Sequence, residues 1–156
     1  MSLEELISAA CHDASAEERR TILETGGLMA YGVPFSLVPG GADDDLSLYV
    51  YCDFGAVPRS RVEAVLKRLL EINLFLYGRD TPSLVLNPTT GHILFACRMD
   101  MRSLTAQRFV LSLEEMSGYA RQWRATHFLT DEEIGGQRPS FLASSEKVAF
   151  IGGRPR

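Results

Sequence analysis

The feature that most restricts the fold is a seam near the C-terminal end. Phe109, Leu113, Met116, Ala120, Trp123 and His127 recur at alternating steps of four and three residues, the spacing of one stripe along an α-helix. A helix from about Ser103 to His127 with such a stripe needs an apolar surface to lie on. The clearest candidate upstream is Leu46–Phe54, a strand with Leu46, Leu48, Val50 and Cys52 on one face and Ser47, Tyr49, Tyr51 and Asp53 on the other. The long helix should cover this sheet.

The other segments supply the rest of the layers. A helix is expected from Ser2 or Leu3 to about Leu23, with a break near Asp13–Ser15 where Ser15 and Glu18 form a capping box, and Gly26-Gly27 ends it. Residues 28–38 are rich in β-formers but divided by Gly32 and Pro34, which fits two short strands or one bent edge strand. Ser60 and Glu63 form the capping box of a helix reaching Tyr77, with Gly78 at its C-terminal end. Ser83–Asn87 and His92–Met99 make a hairpin around Pro88-Thr89-Thr90-Gly91, with Gly91 expected at positive φ. The fold class is α+β: helix, three-stranded antiparallel segment, helix, β-hairpin and long C-terminal helix, forming a twisted antiparallel sheet covered by helices. Residues 1–130 form the domain, and 131–156, rich in Gly and Pro, read as a mobile tail with at most a short strand at Val148–Ile151.

Charge and motifs narrow the function. The net charge of −4 disfavours nucleic acid, and ten acids against only Arg19 and Arg20 make residues 1–57 strongly acidic. The N-terminus lacks the basic and apolar regions of a signal peptide, and the longest apolar stretch, Ile72–Tyr77, is far below the ~20 residues that span a bilayer. Cys11, Cys52 and Cys97 are odd in number and lack C-x-x-C spacing, as expected of reduced thiols in a cytosolic protein. No phosphate-binding glycine loop, zinc-protease or serine-hydrolase motif occurs. The residual enzymatic reading pairs Cys52 or Cys97 with His92 or His127, but cysteines inside apolar strands act as small hydrophobes. Cys11-His12 lacks further ligands at metal spacing, so neither a metal nor a cofactor is expected.

Two surfaces stand out as partner sites. Leu70–Tyr77 is more apolar than one sheet face can cover, which points to a subunit interface. The aromatics of the early strands would ordinarily face a core, yet both parities of 46–54 are apolar or aromatic, and a sheet covered on one face leaves some of them exposed to a partner.

The order of elements, with Leu69-Leu70-Glu71-Ile72-Asn73-Leu74-Phe75, Ser83-Leu84-Val85-Leu86, Thr90-Gly91-His92-Ile93-Leu94-Phe95, Met99-Asp100-Met101 before Leu104, and Tyr119-Ala120-Arg121-Gln122-Trp123-Arg124, resembles the Tir-chaperone (CesT-like) family of class I type III secretion chaperones over residues 15–127. The resemblance implies a bacterial cytosolic homodimer that holds the N-terminal region of a secreted effector in extended form and presents it to components of the secretion apparatus, without cofactor or catalysis. It places effector contacts on the early strands, here Leu28, Tyr31, Val33, Phe35, Leu37, Tyr49 and Tyr51, and the dimer interface on Leu69, Leu70, Asn73, Leu74 and Phe75. The competing reading is a small cytosolic adaptor or regulatory domain that binds a folded partner, with the Cys-dependent enzyme as a third.

Overall fold

The computed structural model describes residues 2–42, 44, 46–78 and 82–129, so the expected tail and its strand at Val148–Ile151 lie outside the described residues. The first helical stretch is two helices, α1 (Leu3–Ala10) and α2 (Ala16–Thr25), each opened by a reciprocal Ser/Glu box, Ser2 with Glu5 and Ser15 with Glu18. Gly26 closes α2 in the left-handed conformation, and a Cβ there would stand 2.5 Å from the Leu37 carbonyl oxygen. Only glycine fits that approach.

Residues 27–39 form two strands, β1 (Gly27–Ala30) and β2 (Val33–Pro39), joined by Tyr31 and Gly32, both at positive φ (50° and 74°). Such a two-residue turn matches the twist of a hairpin. β3 (Ser47–Ala56) follows, then a 3₁₀ turn (Arg59–Arg61) and α3 (Val62–Leu76). The expected Ser60 capping box is absent: the 3₁₀ turn takes up Ser60, and Arg61 stands at the N-cap with no side-chain hydrogen bond. The helix ends on Tyr77 in extended backbone, not on a left-handed Gly78. β4 (Ser83–Leu86) and β5 (His92–Asp100) form the expected hairpin with Gly91 at φ 70°, and α4 (Ala106–Thr126) starts at a Thr105 cap.

The five strands are antiparallel in the order β1-β2-β3-β5-β4. The register runs one apolar row across all of them, Leu28–Phe35–Cys52–Phe95–Leu84, with Leu37–Val50–Cys97 beside it. These residues face the helices. Phe109, Leu113, Met116, Ala120 and Trp123 of α4, Leu6 and Ile7 of α1, and Val65, Leu69, Ile72 and Leu76 of α3 complete one core. Trp123 contacts Phe54 and Phe128 at ring distances of 6.3 and 5.6 Å. Among the described residues, no helix is long and apolar enough to cross a membrane.

Candidate functional site

Because the helices all pack on one side, strand alternation assigns the opposite side of the sheet by register. Val38 pairs with Tyr49 and Tyr49 with Arg98; Ser36 pairs with Tyr51, Tyr51 with Ala96 and Ala96 with Ser83; Asp53 pairs with Leu94 and Leu94 with Val85. Met29 and Pro34 extend this face to β1. The buried residues of α1, α3 and α4 all belong to the core on the other side. The face is therefore open among the described residues.

Two polar clusters frame it. At one end Asp44 accepts hydrogen bonds from Ser47 (2.5 Å), Tyr49 (2.7 Å) and Arg98 (3.1 Å). The Arg98 guanidinium, then the Ser47 and Tyr49 hydroxyls, hold the Asp44 carboxyl well below the usual carboxylate range, while Asp44 pushes the Tyr49 phenol up. At the other end His92 Nδ1 stands 3.0 Å from the Asp53 carboxylate, whose Oδ1 also accepts from Gly55 N–H at the β3 bulge. Arg98 and His92 are six residues apart on β5, about 20 Å at the strand rise. The intervening floor, Tyr51, Leu94 and Ala96, matches an extended segment of roughly six residues.

The β1–β2 side of the sheet carries exposed apolar side chains, Met29 at 67%, Tyr31 at 49% and Val38 at 46%. Tyr31 is held at φ 50°, a conformation that costs an ordinary residue about 1–2 kcal/mol. A strained turn that exposes an aromatic is a candidate contact.

The sequence-expected sites divide. Tyr49 and Tyr51 lie on the open face, half-buried, and Tyr31 projects from its corner. Val33, Phe35 and Leu37 do not offer a surface: they are 0–3% exposed and form the inward row of β2, and Leu28 pairs with Phe35 on the same inner face. A two-residue turn couples even positions of β1 to odd positions of β2, so Met29 and Val38, which sequence reasoning missed, are the outward residues. On α3, Leu70, Leu74 and Phe75 are exposed, Leu70 and Leu74 by 71% and 74%. Leu69 is not; it points into the core with Val65 and Ile72 at helical spacing, and a free interface cannot use it. Asn73 is half-buried and bonded to the Leu84 main chain, with Nδ2 donating to the carbonyl at 2.9 Å and Oδ1 accepting from the N–H at 2.8 Å.

The thiols are poor nucleophiles. Burial pushes the Cys52 thiol up to about 12 and that of Cys97 to about 11, and Cys52 Sγ points at the Met116 carbonyl. Neither forms thiolate near neutrality. No group of three His, Cys, Asp or Glu stands together as metal ligands among the described residues.

The Tir chaperone protein (CesT) family profile matches residues 40–124. Among solved structures, the chain is similar to one in the ExsC–ExsE complex, with a TM-score of 0.60, 17% identity, and coverage of 80% of this chain and 96% of that one. A chain in the ExoT–SpcS complex from Pseudomonas aeruginosa gives a TM-score of 0.42 at 16% identity, covering 75% of this chain and 96% of that one. No curated protein sequence matches. The profile covers more than half of the chain, from the turn before β3 almost to the end of α4, and on that match the chain belongs to the Tir chaperone protein (CesT) family.

Proposed function

We propose that this chain, as a type III secretion chaperone, binds the N-terminal region of one or more effectors in extended form on the open sheet face and along the β1 edge. The supporting observation is the face left open among the described residues, about six residues long between its polar clusters and flanked by the exposed Met29, Tyr31 and Val38. One stretch of the segment pairs its main chain with the β1 edge, which supplies affinity without dictating sequence, and a separate stretch lays its side chains across the apolar floor. Holding that segment extended keeps it soluble and able to enter a narrow channel, and the buried area offsets the ordering of a flexible chain.

Two protomers join through the outer stripe of α3, where Leu70 and Leu74 stand one turn apart, and the dimer presents two such faces. The protein works in the bacterial cytosol, catalyses nothing and needs no cofactor; its thiols are packing groups. The ExsC–ExsE complex supports a protein partner for a fold of this kind.

The test is co-expression with N-terminal segments of proteins secreted by the same apparatus. Wild-type protein should protect and co-purify with one of them, and Val38→Asp with Tyr51→Asp should abolish this while the melting temperature stays near wild type. Unchanged co-purification by the folded double variant would place the groove elsewhere.

A further inference from the structure

A five-stranded open sheet has two edges, and an incoming strand can extend it at either. In this chain they are β1 and β4, and they are not equivalent. On β4, the Leu84 N–H and C=O are both taken by Asn73, at 2.8 and 2.9 Å, so they point away from β5. Antiparallel alternation then turns Ser83 and Val85 toward β5 and leaves Leu84 and Leu86 as the outward pairing positions of this four-residue strand. A carboxamide carries the same donor and acceptor as a peptide group, and the side chain from α3 occupies one of these two positions as a single residue of a sixth strand would. An added strand would have to expel it and leave a half-buried amide without partners.

β1 differs. Leu37 N–H donates to the Gly26 carbonyl at 2.7 Å, so Gly26, Leu28 and Ala30 face β2, and Gly27 and Met29 face outward. Thr25 Oγ1 accepts the Gly27 N–H at 3.1 Å. The Met29 peptide groups lie on the outer edge, under a side chain that is 67% exposed.

We infer that Asn73 is a side-chain stop on the β4 edge, which restricts strand addition, by a partner or by a second copy, to β1. Sheets protect edges against unwanted pairing by such devices. The inference builds on the extended-segment reading, and its test uses the purified chain alone, so that failure of one is separable from failure of the other.

In hydrogen exchange on the wild-type protein, the Leu84 amide should be protected and the Leu86 amide should not; in Asn73→Ala and in the similarly sized Asn73→Leu, both of which lack the Oδ1 acceptor, Leu84 exchange should rise about tenfold or more. Light scattering at rising concentration should then show growth beyond the wild-type mass in the variants. Adding Leu86→Pro, which removes the outward N–H of β4 but no ladder bond to β5, should return the wild-type mass. The inference is overturned if both Asn73 variants keep the wild-type mass throughout, or if growth persists with Leu86→Pro present and so reflects unfolding and not strand pairing.

Discussion

Replacing Leu70 and Leu74 by alanine separates the α3 surface from the core beneath it. Both side chains are more than two-thirds exposed in the protomer, at 71% and 74%, so their truncation leaves the Val65–Leu69–Ile72–Leu76 stripe intact and should cost little folding stability. At an interface the count is different. Each Leu→Ala removes three carbons at about 0.8 kcal/mol per buried carbon, or roughly 1.7 kcal/mol after allowing for the part already covered. Two-fold symmetry repeats both substitutions, for a total of about 7 kcal/mol. At about 1.4 kcal/mol per tenfold in affinity, dimerisation should weaken by about five orders of magnitude, and by more than two even if only half of that area is buried in the dimer. Sedimentation equilibrium should show monomer at micromolar concentration, with circular dichroism and the emission of Trp123, the single tryptophan, unchanged. Leu111→Ala, on the exposed side of α4, is the control and should leave the mass alone. A double variant that stays dimeric at micromolar concentration would refute the assignment of the interface to α3.

Trp123 is 1% exposed, and Trp123→Ala should cost about 3–5 kcal/mol, lowering the melting temperature by roughly 10–20 °C in a calorimetric scan. Tyr31→Asn relieves the left-handed strain at φ 50° and should raise the melting temperature by about 3–6 °C while weakening effector capture, so a variant more stable and equally able to bind would remove Tyr31 from the site. His127, left-handed at φ 51° with its buried Nδ1 unpaired among the described residues, has its pKa held below 6.5 by burial and by Arg61. The unfolded chain therefore takes up a proton that the folded chain resists. Stability should fall as pH drops from 7 through 6.5 toward 5, and His127→Asn, which tolerates that backbone, should flatten the dependence of melting temperature on pH.

The legible parts of this fold are those where one periodicity decides. The α4 seam and the inward Leu48, Val50 and Cys52 of β3 follow from spacings of 3.6 and 2, and Ser2/Glu5 and Ser15/Glu18 cap helices as their sequence implies. In residues 28–38 the aromatics mask the burial pattern, since Tyr31 is exposed while Phe35 is buried. Val33-Pro34-Phe35-Ser36-Leu37 alternates cleanly with the large residues at odd positions, a signal for burial of Phe35, and Pro34 stands just outside the β2–β3 ladder, which begins at Phe35 and Cys52. On α3, the steps from Val65 to Leu69, Ile72 and Leu76 mark an inward stripe and set Leu69 apart from Leu70. Asn73 carried no such signal: its role depends on where β4 lies, which is a tertiary fact. The Ser60 box failed because a 3₁₀ turn shifted the helix cap by one residue, from Ser60 to Arg61.

The central claim is that an extended effector segment lies on the open face and pairs with β1. Hydrogen exchange of the chain with and without its co-purified effector segment tests it most directly, read at the amides of Gly27–Ala30 and on the elements across the sheet. Strong added protection at Met29, with none at Leu86 and little along the exposed side of α4, is the result the account predicts. Protection confined to α4 or to the β4 edge, with Met29 exchanging as in the free protein, would contradict it.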